Sequence, residues 1–172
     1  ILTDAVFSYN RVLTSYGGAI YAMEALTLTG GFVQSNTAVI FGAGVTALKS
    51  VTTRVSPSTG QGTKFISNTV SNGYGGGLYA LGSVDLTGGL FQRNRLLAAS
   101  SYGGGLYTSG SLALTDTQFI DNVANWFGGG AYASVAMTFT GGLFQNNTAT
   151  TFSGNGLTVG NSGTLVFRDT EF

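Results

Sequence analysis

The chain has 172 residues, with seven basic and seven acidic side chains, 28 glycines, no histidine and no cysteine. Charged residues make up 8% of it, against about a quarter in ordinary soluble domains, so no basic stripe exists to neutralise phosphates and nucleic acid is not an expected partner. The missing histidine removes the usual base and metal ligand at neutral pH, the missing cysteine removes disulfides and thiolates, and no apolar run approaches the ~20 residues of a spanning helix.

The first elements along the chain are Leu2-Thr3-Asp4, then Phe7-Ser8-Tyr9-Asn10, then Tyr16-Gly17-Gly18-Ala19-Ile20-Tyr21, then Leu26-Thr27-Leu28-Thr29. All three kinds of phrase recur. The aromatic-x-x-Asn phrase returns as Phe65-Ile66-Ser67-Asn68, Phe91-Gln92-Arg93-Asn94, Phe119-Ile120-Asp121-Asn122 and Phe144-Gln145-Asn146-Asn147, with Val33-Gln34-Ser35-Asn36 as a variant and Phe172 opening a further copy. The Gly phrase returns at Tyr74–Tyr79, Tyr102–Tyr107 and Phe127–Tyr132, and more weakly at Phe41–Val45 and Ser153–Leu157. Alternating runs return as Val84-Asp85-Leu86-Thr87, Leu112-Ala113-Leu114-Thr115, Met137-Thr138-Phe139-Thr140 and Leu165-Val166-Phe167-Arg168. Period two with Thr, Val and Phe is strand chemistry, whereas helical repeats need 3.6-residue amphipathic segments. The aromatic anchors lie 26, 32, 26, 28, 25 and 28 residues apart.

These spacings predict an all-β chain: a right-handed, single-stranded parallel β-helix of about six coils, each 25–32 residues with three short strands. Residues 1–172 form one segment, broken by a corner insertion at 56–62. In such a stack each residue sits ~4.8 Å above its counterpart, so like stacks on like. The expected inward columns are Leu28, Leu86, Leu114, Phe139 and Phe167; Ile20, Val45, Leu78, Leu106, Ala131 and Leu157; and Phe7, Val33, Phe65, Phe91, Phe119 and Phe144. Asn10, Asn36, Asn68, Asn94, Asn122 and Asn147 should form a buried ladder, because an amide carries both donor and acceptor.

The alternation of Phe-x-x-Asn with Gly-Gly-Ala-Ile resembles the repeat of the chlamydial polymorphic outer membrane proteins. Gly17-Gly18-Ala19-Ile20 is the literal Gly motif, and later copies prefer Gly-Gly-Gly-Leu. The resemblance covers essentially the whole chain and implies secreted or cell-surface β-helix passengers with adhesive roles.

Candidate sites are few. Asp4, Asp116 and Asp169 occupy one repeat position, taken elsewhere by Gly30, Gly88 and Gly141; Asp116 and Asp169 would lie two coils apart, near the carboxyl separation of an inverting glycosidase, although both residue types are ordinary corner formers. Asp169 with Glu171 is a second acidic pair, expected to be solvated. The insertion Ser56-Pro57-Ser58-Thr59-Gly60-Gln61-Gly62 should project beside Lys49, Arg54 and Lys64. Tyr21, Tyr79, Tyr107 and Tyr132, with Thr46 and Thr158, should form an outward column able to bind sugar rings or another solenoid. Thr29, Thr87, Thr115 and Thr140 form a second outward column, but paired rows occur only at Thr27/Thr29 and Thr138/Thr140, too few for an ice-binding lattice. Asn146-Asn147-Thr148 is a glycosylation sequon at Asn146. No nucleophile–base pair or metal cluster can be assembled, so no catalytic residue, metal or cofactor is expected.

The expectation is an extracellular or cell-surface structural or adhesive β-helix that is not an enzyme. Its partners would be surface glycans, host proteins, or further coils or copies stacked on uncapped ends. The rival is a polysaccharide-binding or polysaccharide-cleaving β-helix, an argument by fold alone.

Overall fold

Alternating Leu or Val with Thr gives a strand one apolar face, and stacking such strands in parallel turns that face into an inner wall. The computed structural model describes residues 1–160 and 163–168, and these contain no helix. They form a parallel β-solenoid of about six turns. One wall has seven strands, Leu2–Thr3, Leu26–Thr29, Val51–Arg54, Val84–Thr87, Leu112–Thr115, Ala136–Thr140 and Thr164–Arg168. The Phe wall has six, Val6–Ser8, Phe32–Gln34, Lys64–Ile66, Leu90–Gln92, Gln118–Ile120 and Leu143–Gln145. The Gly wall also has six, Ile20–Ala22, Val45–Ala47, Leu78–Ala80, Leu106–Thr108, Ala131–Ala133 and Leu157–Val159. Two-residue strands after the Asn, from Thr37–Ala38 to Thr148–Ala149, add a narrow fourth sheet to the three per coil.

Register follows the repeat. Phe7 pairs with Val33, Val33 with Phe65, and so on to Phe144; Ile20 to Leu157 pair likewise through six coils. Phe65, Phe91 and Phe119 are fully buried, and their rings stack within 8° of parallel at 4.5 and 4.8 Å, which adds ~1 kcal/mol per pair to the burial itself. The Leu28 column has one exception. Its third-coil position is Thr53, which is buried and whose Oγ accepts from Thr87 N at 3.3 Å. That hydroxyl stands in where pairing of Val51–Arg54 with Val84–Thr87 stops after Thr52.

Each fully buried Asn amide is used to capacity, whereas Asn10, expected in the buried ladder, is exposed in the first coil, where no coil below covers it, and donates only to Asn36 Oδ1. Asn94 Nδ2 donates to Asn122 Oδ1 at 3.0 Å and to Phe65 O at 2.8 Å. Its Oδ1 accepts from Asn68 N at 3.0 Å and Asn68 Nδ2 at 2.9 Å. Two hydrogens and two lone pairs are the whole inventory of a primary amide, and Asn36, Asn68 and Asn122 repeat the pattern with full burial. The residue before the Asn is left-handed in all six coils: Tyr9, Ser35, Ser67, Arg93, Asp121 and Asn146 have φ between 53° and 58°. None is glycine. This conformation costs roughly 1–2 kcal/mol per residue and turns the strand end so that the Asn points inward while its predecessor points out.

Candidate binding face

In each Gly phrase a left-handed glycine separates two rings. Gly17, Gly75, Gly103 and Gly128 have φ of 64°, 64°, 68° and 61°, and a Cβ on any of them would collide with the carbonyl three residues on. The turn brings the ring before the glycine outside the sheet, against the ring that follows the inward residue. Two columns result. Tyr21, Tyr79, Tyr107 and Tyr132 stand on the Gly wall, with Thr46 and Thr158 in register. Over them lie Tyr16, Phe41, Tyr74, Tyr102 and Phe127, linked at 5.0–5.6 Å.

The Tyr column points away from the main core, but it is not a free ladder. Tyr79 is 8% exposed, because Phe41 stacks on it at 4.3 Å and Tyr107 at 5.3 Å. Tyr107 and Tyr132 lie 1° from parallel at 5.3 Å. Parallel rings this close overlap in an offset stack, so inside the column the faces are taken by neighbours. What solvent meets is mostly ring edges and phenol groups. Burial, reinforced by the phenols of Tyr107, Tyr74 and Tyr16, pushes the Tyr79 hydroxyl up to about 12. Burial also raises Tyr102 and Tyr132, whose neighbouring phenols act in the same direction; a hydrogen bond with Ser134 partly offsets it at Tyr132. These three therefore stay neutral at physiological pH.

The outer column went unread in the sequence. Its signal was present: an aromatic residue five positions before each Tyr, across a glycine pair, in four coils. Trp126 and Phe152 extend it, Trp126 meeting Tyr102 edge-on at 5.7 Å and Phe152 stacking on Phe127 at 5.3 Å.

Of the acidic candidates, Asp4 and Asp116 lie among the described residues and do not converge. Asp4 and Asp116 share the expected corner, with φ of 45° and 49°, and each carboxylate lies where a Cβ of the next coil's Gly30 or Gly141 would be. Four coils separate them, about 19 Å along the stack. Asp169, Glu171 and Phe172 lie outside the described residues. Among the described residues no group of His, Cys, Asp or Glu could hold a metal ion.

The insertion folds back onto its own corner. Buried Ser56 donates its Oγ to Asp4 Oδ2 at 2.9 Å and accepts from Ser58 N and Thr59 N at 3.2 and 3.3 Å. Among the described residues, Asp4 Oδ1 is buried without a hydrogen-bond partner. Lys64 Nζ donates to Gln61 Oε1 at 2.6 Å, and Arg54 pairs with Asp85 at 3.5 Å. Lys49, expected beside the loop, lies instead before the other end of Val51–Arg54, where its carbonyl accepts from Gly82 N. The outward Thr column is interrupted by Arg54 and Arg168, which pair with Thr29 and Thr140. Asn146 is exposed at its left-handed position, directly before ladder residue Asn147.

Residues 4–23 match the model of the Chlamydia polymorphic membrane protein repeat. The matched segment spans the first Phe-x-x-Asn phrase and the literal Gly-Gly-Ala-Ile phrase, which build one corner amide and one two-ring unit. The polymorphic membrane protein repeat implies a surface or outer-membrane protein built on a β-helix. Later coils replace its Ala with glycine; at Gly105 a methyl would press on Gly130 O, the Phe119 ring and the Phe91 Cβ, whereas Ala19 packs partly buried at the core margin. No curated protein and no solved structure matches the chain.

Proposed function

We propose that the chain is a non-enzymatic, surface-displayed β-solenoid with an adhesive role, meeting surface glycans or host proteins through the aromatic layer outside its Gly wall. The observation that carries this reading is that layer itself: two ring columns held uncharged on a rigid stack. A monomer that needed only a core would hold its rings inside; rings on an outer surface mark interaction sites. The polymorphic membrane protein repeat supports surface display.

The test couples the purified chain to beads and measures their retention on epithelial cell layers and glycan-coated surfaces. Tyr16→Glu with Tyr21→Glu places charge on the face at two positions that are 40% and 46% exposed, with folding checked by circular dichroism. Retention should fall at least tenfold. Unchanged retention of the charged variant, or turnover of an acidic polysaccharide by the native chain, would overturn the reading.

A further inference from the structure

At coil five the aromatic layer leaves the face of Tyr132 that looks toward coil six without a ring among the described residues. In coil two, Thr46 replaces a Tyr, but Phe41 closes the gap by stacking on Tyr79 at 4.3 Å, and Thr46 Oγ donates to Phe41 O at 3.0 Å. In coil six both ring positions are vacated. Thr158 stands in the Tyr column, and Ser153 stands where Tyr16, Phe41, Tyr74, Tyr102 and Phe127 stand in the other coils. Phe152 is one residue early; it stacks on Phe127, and Trp126 meets it edge-on. Tyr132 therefore has Tyr107 stacked on one face and Tyr102 edge-on, with no ring recorded against its other face among the described residues. A cavity of about 510 Å³ opens there, lined by Tyr102, Phe127, Tyr132, Ser134 and Thr158 together with the backbone at Gly160.

The geometry points to a binding subsite for a neutral sugar ring, stacked on the open face of Tyr132. A pyranose presents an apolar C–H face and a rim of hydroxyls. The cavity answers both, with one uncovered aromatic face surrounded by the hydroxyls of Ser134, Thr158 and Tyr102. No charged side chain lines it, so it offers nothing to a uronate or sialate carboxylate. Its volume lies within the usual range for small-molecule sites, about 300–1,000 Å³, enough for one or two sugar units. An aromatic side chain of a partner peptide would use the ring but leave the hydroxyl rim unpaired, which disfavours it.

This subsite rests on the adhesive reading and can fail without it. Trp126, the chain's one tryptophan, borders Tyr102 and reports occupancy by fluorescence. The native chain is titrated with neutral oligosaccharides of glucose, galactose, mannose and N-acetylglucosamine, with galacturonate oligomers for comparison. Saturable binding of a neutral sugar is expected. Thr158→Tyr, which continues the column and fills the slot without removing any core contact, should weaken it at least tenfold. Tyr132→Ala should do the same, and Tyr132→Phe should stay within about threefold, since the face is kept. Absence of saturable binding by every neutral sugar, equal affinity in Thr158→Tyr, or a preference for the uronates would overturn the subsite. If bead retention on cells persists in Thr158→Tyr and no sugar binds, the subsite is wrong and the wider face still carries adhesion. If retention is lost only when Tyr16 and Tyr21 are charged, the contact lies at the other end of the face, which also overturns the subsite.

Discussion

Replacing Asn94 by Ala removes the centre of the amide ladder. In the native stack Asn94 Oδ1 receives Asn68 N and Asn68 Nδ2, and Asn94 Nδ2 reaches Asn122 Oδ1 and Phe65 O. The change orphans a buried backbone N–H and a buried amide hydrogen of Asn68, and takes one donor from Phe65 O. Asn122 Oδ1 keeps Asn94 N at 3.0 Å, so it is only half deprived. Each unsatisfied buried donor costs ~1–3 kcal/mol, and two of them with a small cavity give about 3–5 kcal/mol. Asn10→Ala is the matched control. It has the same side chain, but it is exposed and donates to one neighbour, Asn36 Oδ1, at 2.9 Å; its loss should stay within about 1 kcal/mol. Equilibrium urea unfolding followed by circular dichroism measures both. Because a solenoid is stabilised coil by coil, the Asn94 variant should also broaden the transition. Losses for the two variants that agree within ~0.5 kcal/mol would refute the claim that the ladder carries stability at the buried corner.

Three further outcomes follow from the backbone and the phenols. Ser67 has φ of 54°, so Ser67→Gly should be neutral or stabilise by up to ~1 kcal/mol, relief of the left-handed conformation outweighing glycine's entropy cost; Ser67→Val should destabilise by about 1–2 kcal/mol, and a reversed order in thermal melts would contradict the geometry. Gly103→Ala meets both a positive φ and the Leu106 carbonyl, and should cost more than about 2 kcal/mol in the same melts. The folded state holds the Tyr79 proton up to about 12, while an unfolded tyrosine releases it near ~10. The stability from that neutral phenol is therefore present below pH 10 and is lost between about pH 10 and 12. Urea midpoints at pH 9 and 11 should fall, and Tyr79→Phe should flatten the fall; an unchanged slope in that variant would remove Tyr79 as the cause.

The solenoid was legible because a parallel stack demands the same kind of residue at the same height, and that demand is written into sequence as a period. The ring column from Phe7 to Phe144 and the aliphatic column from Ile20 to Leu157 could be listed before any coordinate, since each is one phrase position read six times. The left-handed residues before each Asn could not. Tyr, Ser, Arg, Asp and Asn stand there without a glycine among them, because the bonds of the buried amide impose the conformation and the side chain only tolerates it. Thr53 was likewise hidden, its hydroxyl being acceptable in an apolar column only because Thr87 N happens to face it. The tertiary structure alone decided the surface. Tyr79 alternates outward as period two requires, yet ring packing from the neighbouring coils buries it, and Tyr132 keeps an open face because coil six places Thr158 and Ser153 where other coils have rings. A repeat specifies what stacks on itself; which surface is left uncovered depends on contacts between phrases in different coils, and those exist only once the chain has folded.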